Sequence, residues 1–547
     1  MSRVSIPMRF CSTCKYNVFA RYSHVRTKGG RSPGSYRLLD KPVNAWTQKQ
    51  RQYMSKSSTD TWKNPFNLWF CGIGAGVVLA LGLKYHHDGD SGVCDAEVSD
   101  ENNDGRYRSA VSVSRDLVGR IKDEVGAPGL VVGVSVDGQQ VWCEGFGYAD
   151  LENRTACRPE TVMRIASISK PLTTAAVARL CEEGKLDLDV PVQQYVPEFP
   201  AKLFDGEDVT ITTRMILSHL SGIRHYEKDA KKVRENREKA RGHLRPPITE
   251  PTSLNKDEVK NAKAEENITK ESKQANTTER KKEFEQEEYY LKTNFENVIQ
   301  ALDLFKDDPL IFKPGSTFHY STHAFALLSA VVERAAGQSF LDLMKNLFHE
   351  LGMVHTVPDE NDPIIYHRSR FYHLNKKGRV VNCPYVDNSY KWAGGGFLST
   401  AGDLLLFGNT LLYSYQLSQL KETNGLLPGF LSPKTSLELW APVDGTEPSW
   451  DKDGLYAQGW LVVEKSQKYG QCKSRRHYVS HTGGAVGASS VLLVLPSEGT
   501  LQPEGMRAEF LPKGIVVTII TNMQSVGLNG TALKIAYEFD KAHKKIS

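Results

Sequence analysis

Arg164-Ile165-Ala166-Ser167-Ile168-Ser169-Lys170 is the stretch on which the fold turns. Ser167 and Lys170 stand three residues apart, and Pro171, Leu172, Ala175, Ala176, Val177, Ala178 and Leu180 continue as an apolar helix. On the first turn of a helix, positions i and i+3 share a face. The spacing therefore sets an amine beside a hydroxyl, where the helix N-terminus adds partial positive charge. A lysine so placed accepts or relays the serine proton and makes the hydroxyl a nucleophile. Ser-x-x-Lys also occurs in ordinary N-capped surface helices, so the reading depends on what surrounds it.

The chain has 547 residues, enough to bury a sizeable core. Its formal net charge is only +5, and much of that is local. Arg3, Arg9, Lys15, Arg21, Arg26, Lys28, Arg31 and Arg37 all precede Asp40, the first acidic residue. The remainder is nearly neutral, which gives no support to a nucleic-acid partner. An Arg-rich, Ser-rich, acid-free start reads as a mitochondrial presequence over 1–62. It lacks the apolar core that a secretory signal needs directly after its basic start. Nine cysteines (Cys11, Cys14, Cys71, Cys94, Cys143, Cys157, Cys181, Cys383 and Cys472) are odd in number and scattered, so they propose no disulfide framework. The C-x-x-C at Cys11 and Cys14 has no partner pair and falls inside the leader.

Residues 68–83 form an unbroken apolar and glycine run. With Phe66 and Asn67 it approaches the roughly 18–20 residues that cross a bilayer. If it spans, the basic leader marks the inner side, and the chain beyond residue 85 faces the intermembrane space, with inner-membrane contact. Residues 63–105 therefore read as this segment plus a polar, acidic linker, and the folded part as 106–547. Within it, 111–125 has helical spacing, and 130–136 and 140–148 are β-rich runs joined by Asp137-Gly138, a strong hairpin signal. Over 226–292 the chain is crowded with Lys, Arg and Glu and nearly lacks apolar residues, so it reads as a disordered or partly helical insertion. Residues 325–351 carry the spacing of one long helix with a break at Gly337. Apolar β runs occur at 458–463, 488–495 and 514–521. Strands, a helical middle and further strands indicate an α+β domain with one antiparallel sheet.

Two more motifs complete a constellation. Tyr320-Ser321-Thr322 sits between a Lys313-Pro314-Gly315 turn and the long helix, and His481-Thr482-Gly483-Gly484 lies at the end of an expected strand, 478–480. In this order the three motifs resemble the signatures of serine β-lactamases and penicillin-binding proteins. Ser218-His219 with Ser221-Gly222, Gly394-Gly395-Gly396-Phe397, Leu351-Gly352-Met353 and Gln458-Gly459-Trp460 add to the likeness, which covers about 110–540 apart from the charged insertion. With its leader and apolar segment, the whole chain resembles the mitochondrial animal branch of that family.

The resemblance implies a β-lactamase/transpeptidase-like fold, an antiparallel sheet flanked by helices with a helical subdomain. It also implies a serine protease of the intermembrane space, linked to mitochondrial lipid metabolism and self-associating into filaments. Ser167 would attack a carbonyl carbon, with Lys170 holding and activating the hydroxyl. Tyr320 would be the partner base, its phenol acidified by Lys170 and a protonated His481. Backbone N–H groups of Ser167 and Gly484 would form the oxyanion hole, and Thr322, Thr482 and Gly483 would contact substrate. Two departures stand out: the third motif begins with His481 where the family usually has lysine, and the second ends in Thr322 where it often has asparagine. Both point away from cell-wall or antibiotic substrates and toward peptides or related amides and esters. His219, before a turn, reads as structural. No P-loop, dinucleotide fingerprint or metal-ligand spacing is present, so the implied chemistry needs no cofactor. The rival reading is a filament-forming scaffold with a weak or silent pocket.

Overall fold

A computed structural model describes residues 105–242, 287–420, 423, 425–448, 450–451, 453–467, 474–498 and 512–545. The basic leader, the C-x-x-C, the apolar run and its linker to 104, and the middle of the charged insertion lie outside them. Among the described residues, no helix is long and apolar enough to cross a membrane.

The hairpin forms where Asp137-Gly138 required it. Strand β1 (Gly129–Val136) turns through those two residues, at φ 50° and 78°, into β2 (Gln139–Asp150). Strands β3 (Thr155–Ala156), β4 (Leu455–Tyr456), β5 (Leu461–Val463), β6 (Tyr478–Ala485), β7 (Ala488–Pro496) and β8 (Gly514–Thr521) complete an eight-stranded sheet in the order β4-β5-β6-β7-β8-β1-β2-β3. Every pairing in it is antiparallel.

The central strands are apolar on both faces because both faces are covered. Leu130, Val132, Val134, Val491, Leu493, Val517 and Ile519 pack into one cluster, toward α1 (Arg108–Val125) and the C-terminal helix. Val131, Leu492, Val494, Val516 and Ile520 alternate onto the other face and into the larger cluster. That cluster continues through α2 (Ser169–Glu182), α3 (Thr322–Ala336) and α4 (Ala401–Leu417) into the helical half. The C-terminal helix, α5 (Asn529–Lys544), lies beside α1. Each fully buried Val, Leu or Ile contributes about 1.5–3 kcal/mol by leaving water, so the sheet is a stiff base for whatever stands at its edge.

The expected long helix is two. It stops at Gly337, whose φ of 69° is left-handed, and a second helix, Phe340–Glu350, starts from a Ser339 cap. The third motif lies inside β6, not at a strand's end, and the run expected at 458–463 is strand only from Leu461.

The insertion is narrower than its composition implied. Ala230–Gly242 is a helix, and Arg234 Nε donates to the Ile311 carbonyl at 2.6 Å. At the far end Glu288, buried, makes a two-pronged ion pair with Arg224 (2.7 and 3.0 Å) and accepts from His323 Nε2 at 2.9 Å. These partners hold Glu288 well below the usual carboxylate range against the opposing effect of burial. Composition marks such residues as solvated; pairing across the fold buries them.

Candidate active site

The nucleophile turn is built by close packing. Met163–Arg164 pairs with Phe397–Ser399 in a small sheet, and the chain then tightens into a 3-10 turn, Ala166–Ile168, before α2 begins at Ser169. Ser167 therefore precedes the α-helix instead of lying on its first turn. Ala166 takes φ 49°, a left-handed value uncommon without glycine. Ser490 Oγ donates to the Ile165 carbonyl at 2.7 Å and holds the turn against the sheet. A Cβ at Gly483 would overlap that same carbonyl oxygen and Ser490 Oγ, so glycine there is what lets β6 and the turn meet. Gly483 is buried; Gly484 is exposed, and a Cβ on it would meet open space.

Three side chains converge. Lys170 Nζ donates to Ser167 Oγ at 3.1 Å and to the Gly394 carbonyl at 2.6 Å, and Tyr320 Oη lies 2.7 Å from Ser167 Oγ. Lys170 is 0 % exposed, with its ammonium 4.7 Å from the Tyr320 ring centroid. The carbonyl dipole, the hydroxyl and the negative ring face replace part of the water it has lost. Tyr320 stands just before α3, whose first N–H groups are satisfied by Ser321 Oγ accepting from Ala324 N at 3.0 Å. Thr322 is 5 % exposed and its methyl carbon would be 2.9 Å from a Cβ at Gly394. Its methyl group thus packs close to Gly394, whose carbonyl binds Lys170.

His481 departs most from expectation. Its Nδ1 lies 2.7 Å from the Thr482 carbonyl and its Nε2 lies 2.8 Å from Tyr456 Oη. A carbonyl only accepts, so Nδ1 carries the proton and the Tyr456 hydroxyl donates to Nε2. Burial, reinforced by Lys170, pushes His481 down to about 3. It is neutral at physiological pH and supplies no cation to acidify Tyr320; Lys170 is the cation set against that phenol. Thr482 is half-buried in the same strand.

Sequence reasoning gave no task to three groups that build the site. The Gly394 carbonyl fixes Lys170, and its glycine stretch was the available signal. Tyr456 fixes the His481 tautomer, and no sequence pattern marks it. His219, at φ 57°, packs at a tilt against Tyr320 (ring centroids 4.3 Å) and accepts from Ser321 N–H at 3.2 Å. Burial and then Lys170 hold it far below its ordinary pKa, and its buried Nε2 has no hydrogen-bond partner. Its ring packs against the tyrosine.

Among the described residues the thiols are weak nucleophiles: burial pushes Cys143, Cys157 and Cys383 up to about 12 and Cys181 up to about 11. Among the described residues, no cluster of three or more His, Cys, Asp or Glu could hold a metal ion. Strand β6 pairs with β7 from Val479 to Ala485, but with β5 only over Tyr478–Ser480. Among the described residues, its other edge from His481 to Ala485 has no strand partner, and it runs past Ser167.

The β-lactamase family model matches residues 115–535. The chain belongs to the β-lactamase family. It is 60 % identical over 450 residues to the mouse serine β-lactamase-like protein LACTB, mitochondrial, covering 80 % of this chain and 81 % of that one. Family and relatives make it a serine hydrolase-type enzyme of mitochondria. Two solved structures share the fold. The octameric penicillin-binding protein homologue from Pyrococcus abyssi superposes with a TM-score of 0.52 at 21 % identity, covering 79 % of this chain and 77 % of that one. EstCE1, a hydrolase with promiscuous acyltransferase activity, gives 0.53 at 21 % identity, over 81 % and 99 %.

Proposed function

We propose that the protein hydrolyses peptide or related amide and ester bonds through an acyl-enzyme on Ser167. One observation carries the reading: Ser167 Oγ is shared by Lys170 Nζ at 3.1 Å and Tyr320 Oη at 2.7 Å. A serine needs an acceptor for its proton as it attacks, and Tyr320 Oη is already within transfer distance while Lys170 donates to the same oxygen. Tyr320, acting as base with the Lys170 ammonium beside it, takes the serine proton and delivers it to the leaving group; water then repeats the cycle to release the acid. The Ser167 and Gly484 N–H groups face the developing oxyanion, where loss of one donor costs about 100- to 1000-fold in rate. The unpartnered edge of β6 accepts an extended acyl chain by backbone hydrogen bonds, which favours peptide-like substrates.

The working site in this reading is the intermembrane space, beside the inner membrane, with a tie to lipid metabolism and self-association into filaments. The archaeal relative is itself an octamer, so the fold tolerates assembly in at least that protein. A silent scaffold would have no reason to keep two proton-holding groups on one serine hydroxyl. The test is the intact mass of the purified protein after a fluorophosphonate probe, wild type beside Ser167→Ala. A single adduct on wild type alone, mapped to Ser167, is the expected result. A folded wild type that takes no adduct and turns over no activated ester sinks the reading.

A further inference from the structure

The least buried aromatic beside the reacting atoms is Trp450. Its indole meets the Tyr320 ring edge-on, with centroids 5.4 Å apart and planes at 90°, and is backed by Phe318 at 6.2 Å. Phe318 and Tyr456 are buried beneath it, and His219 closes the same cluster. Trp450 itself keeps 42 % of its surface in water. An isolated exposed tryptophan is ordinary. This one leans on the tyrosine whose hydroxyl touches Ser167, so its open face borders the space that an acyl group on Ser167 must enter.

Apart from the Lys170 ammonium, which is held by Ser167 Oγ and the Gly394 carbonyl, the rings at that border carry no charge. Both ring nitrogens of His481 are spent inside the protein, on the Thr482 carbonyl and the Tyr456 hydroxyl. The His219 ring is turned against Tyr320 and Tyr456. An ionic acyl group would give up its hydration beside rings with little to return, whereas an apolar one would lose only the water it shares with the indole.

We infer that Trp450 is a specificity-determining residue: it forms the solvent-side wall of the acyl pocket and selects donors with a long apolar or aromatic acyl group. The inference rests on the acyl-enzyme reading above. A fully buried methylene is worth a factor of about four in binding. A wall on one side recovers part of that, so a difference on the order of tenfold between octanoyl and acetyl groups is expected.

The experiment compares kcat/KM for p-nitrophenyl octanoate and p-nitrophenyl acetate, with submicellar substrate, in wild type, Trp450→Ala and Trp450→Phe. Wild type should favour octanoate by roughly tenfold or more. Trp450→Ala should remove most of that ratio, and Trp450→Phe should retain most of it. Changes in Tyr320 positioning would move both esters together and leave the ratio alone. Trp450→Gln, which keeps a long side chain, is read in the same way if the alanine variant melts below assay temperature. A ratio near one in wild type, or a ratio unchanged in the alanine or glutamine variant, overturns the inference. Turnover of neither ester by wild type, with no Ser167 adduct, would instead remove the hydrolase reading beneath it.

Discussion

Tyr320→Phe deletes one oxygen and leaves everything else in place. The ring keeps its tilted contact with His219 at 4.3 Å, its edge contact with Trp450 at 5.4 Å and the Lys170 ammonium at 4.7 Å. What disappears is the 2.7 Å contact with Ser167 Oγ. Loss of a half-buried hydroxyl costs about 1 kcal/mol or less in stability. Loss of a general base costs about 100- to 10,000-fold in rate, or about 2.7–5.5 kcal/mol at the transition state. The two scales differ enough to separate misfolding from lost proton transfer. Stopped-flow acylation by p-nitrophenyl acetate, paired with a thermal melt, reads both. The expected result is a nearly unchanged melting midpoint with acylation slowed at least 100-fold. A well-folded variant within about threefold of wild type would refute the assignment and leave Lys170, at 3.1 Å, as the sole proton acceptor.

Other consequences are equally direct. Gly483→Ala forces a Cβ into the Ile165 carbonyl and should cost about 1–3 kcal/mol and most activity, whereas Gly484→Ala, facing open space, should leave the melting midpoint unchanged. Equal midpoints for the two variants would contradict the packing described. His481 and His319, held near 3 mainly by burial, are neutral in the fold but protonate in the unfolded chain below about pH 6.5. Their contribution is therefore present above about pH 6.5 and lost as pH falls toward the folded values, by up to about 1.4 kcal/mol per histidine per pH unit. Melts from about pH 7 to 5 should show a falling midpoint, with a smaller fall in His319→Gln; a flat profile would count against buried neutral rings. Glu288→Ala leaves the buried Arg224 to Asp308 and backbone carbonyls, removes the partner of His323, and should cost about 1–3 kcal/mol in urea unfolding. A loss under about 1 kcal/mol would mean that the pair is solvated.

Some of this was legible in residues and some was not, for physical reasons. Asp137-Gly138 specified a hairpin because a two-residue turn admits few conformations. The period-two runs at 488–495 and 514–521 specified strands because each face needed its own apolar set. Ser167, Lys170 and Tyr320 were legible because a reactive group must be a particular residue type at a particular spacing. The neutrality of His481 was not, since it depends on burial and on Lys170, which only the folded chain brings beside it, and its tautomer depends on Tyr456 from 25 residues away. Gly483 was taken for a substrate contact, yet its lack of a side chain serves the Ile165 carbonyl, a contact that exists only after the turn and β6 have met. Glu288 carried the signature of solvated charge because composition does not record that Arg224 would meet it across the fold.

The free edge of β6 has a bearing on solubility. An unpaired strand edge is a template on which a second polypeptide can stack, and long, flat, apolar edges seed aggregates. Here the open part runs only from His481 to Ala485, two of its five residues are glycines with little β propensity, and Gly484 alone is exposed. Such an edge is too short and too covered to nucleate sheet growth between copies, yet long enough to grip a few residues of one extended chain. The edge proposed to hold a substrate backbone is thus sized below the threshold at which it would endanger the protein in a crowded compartment.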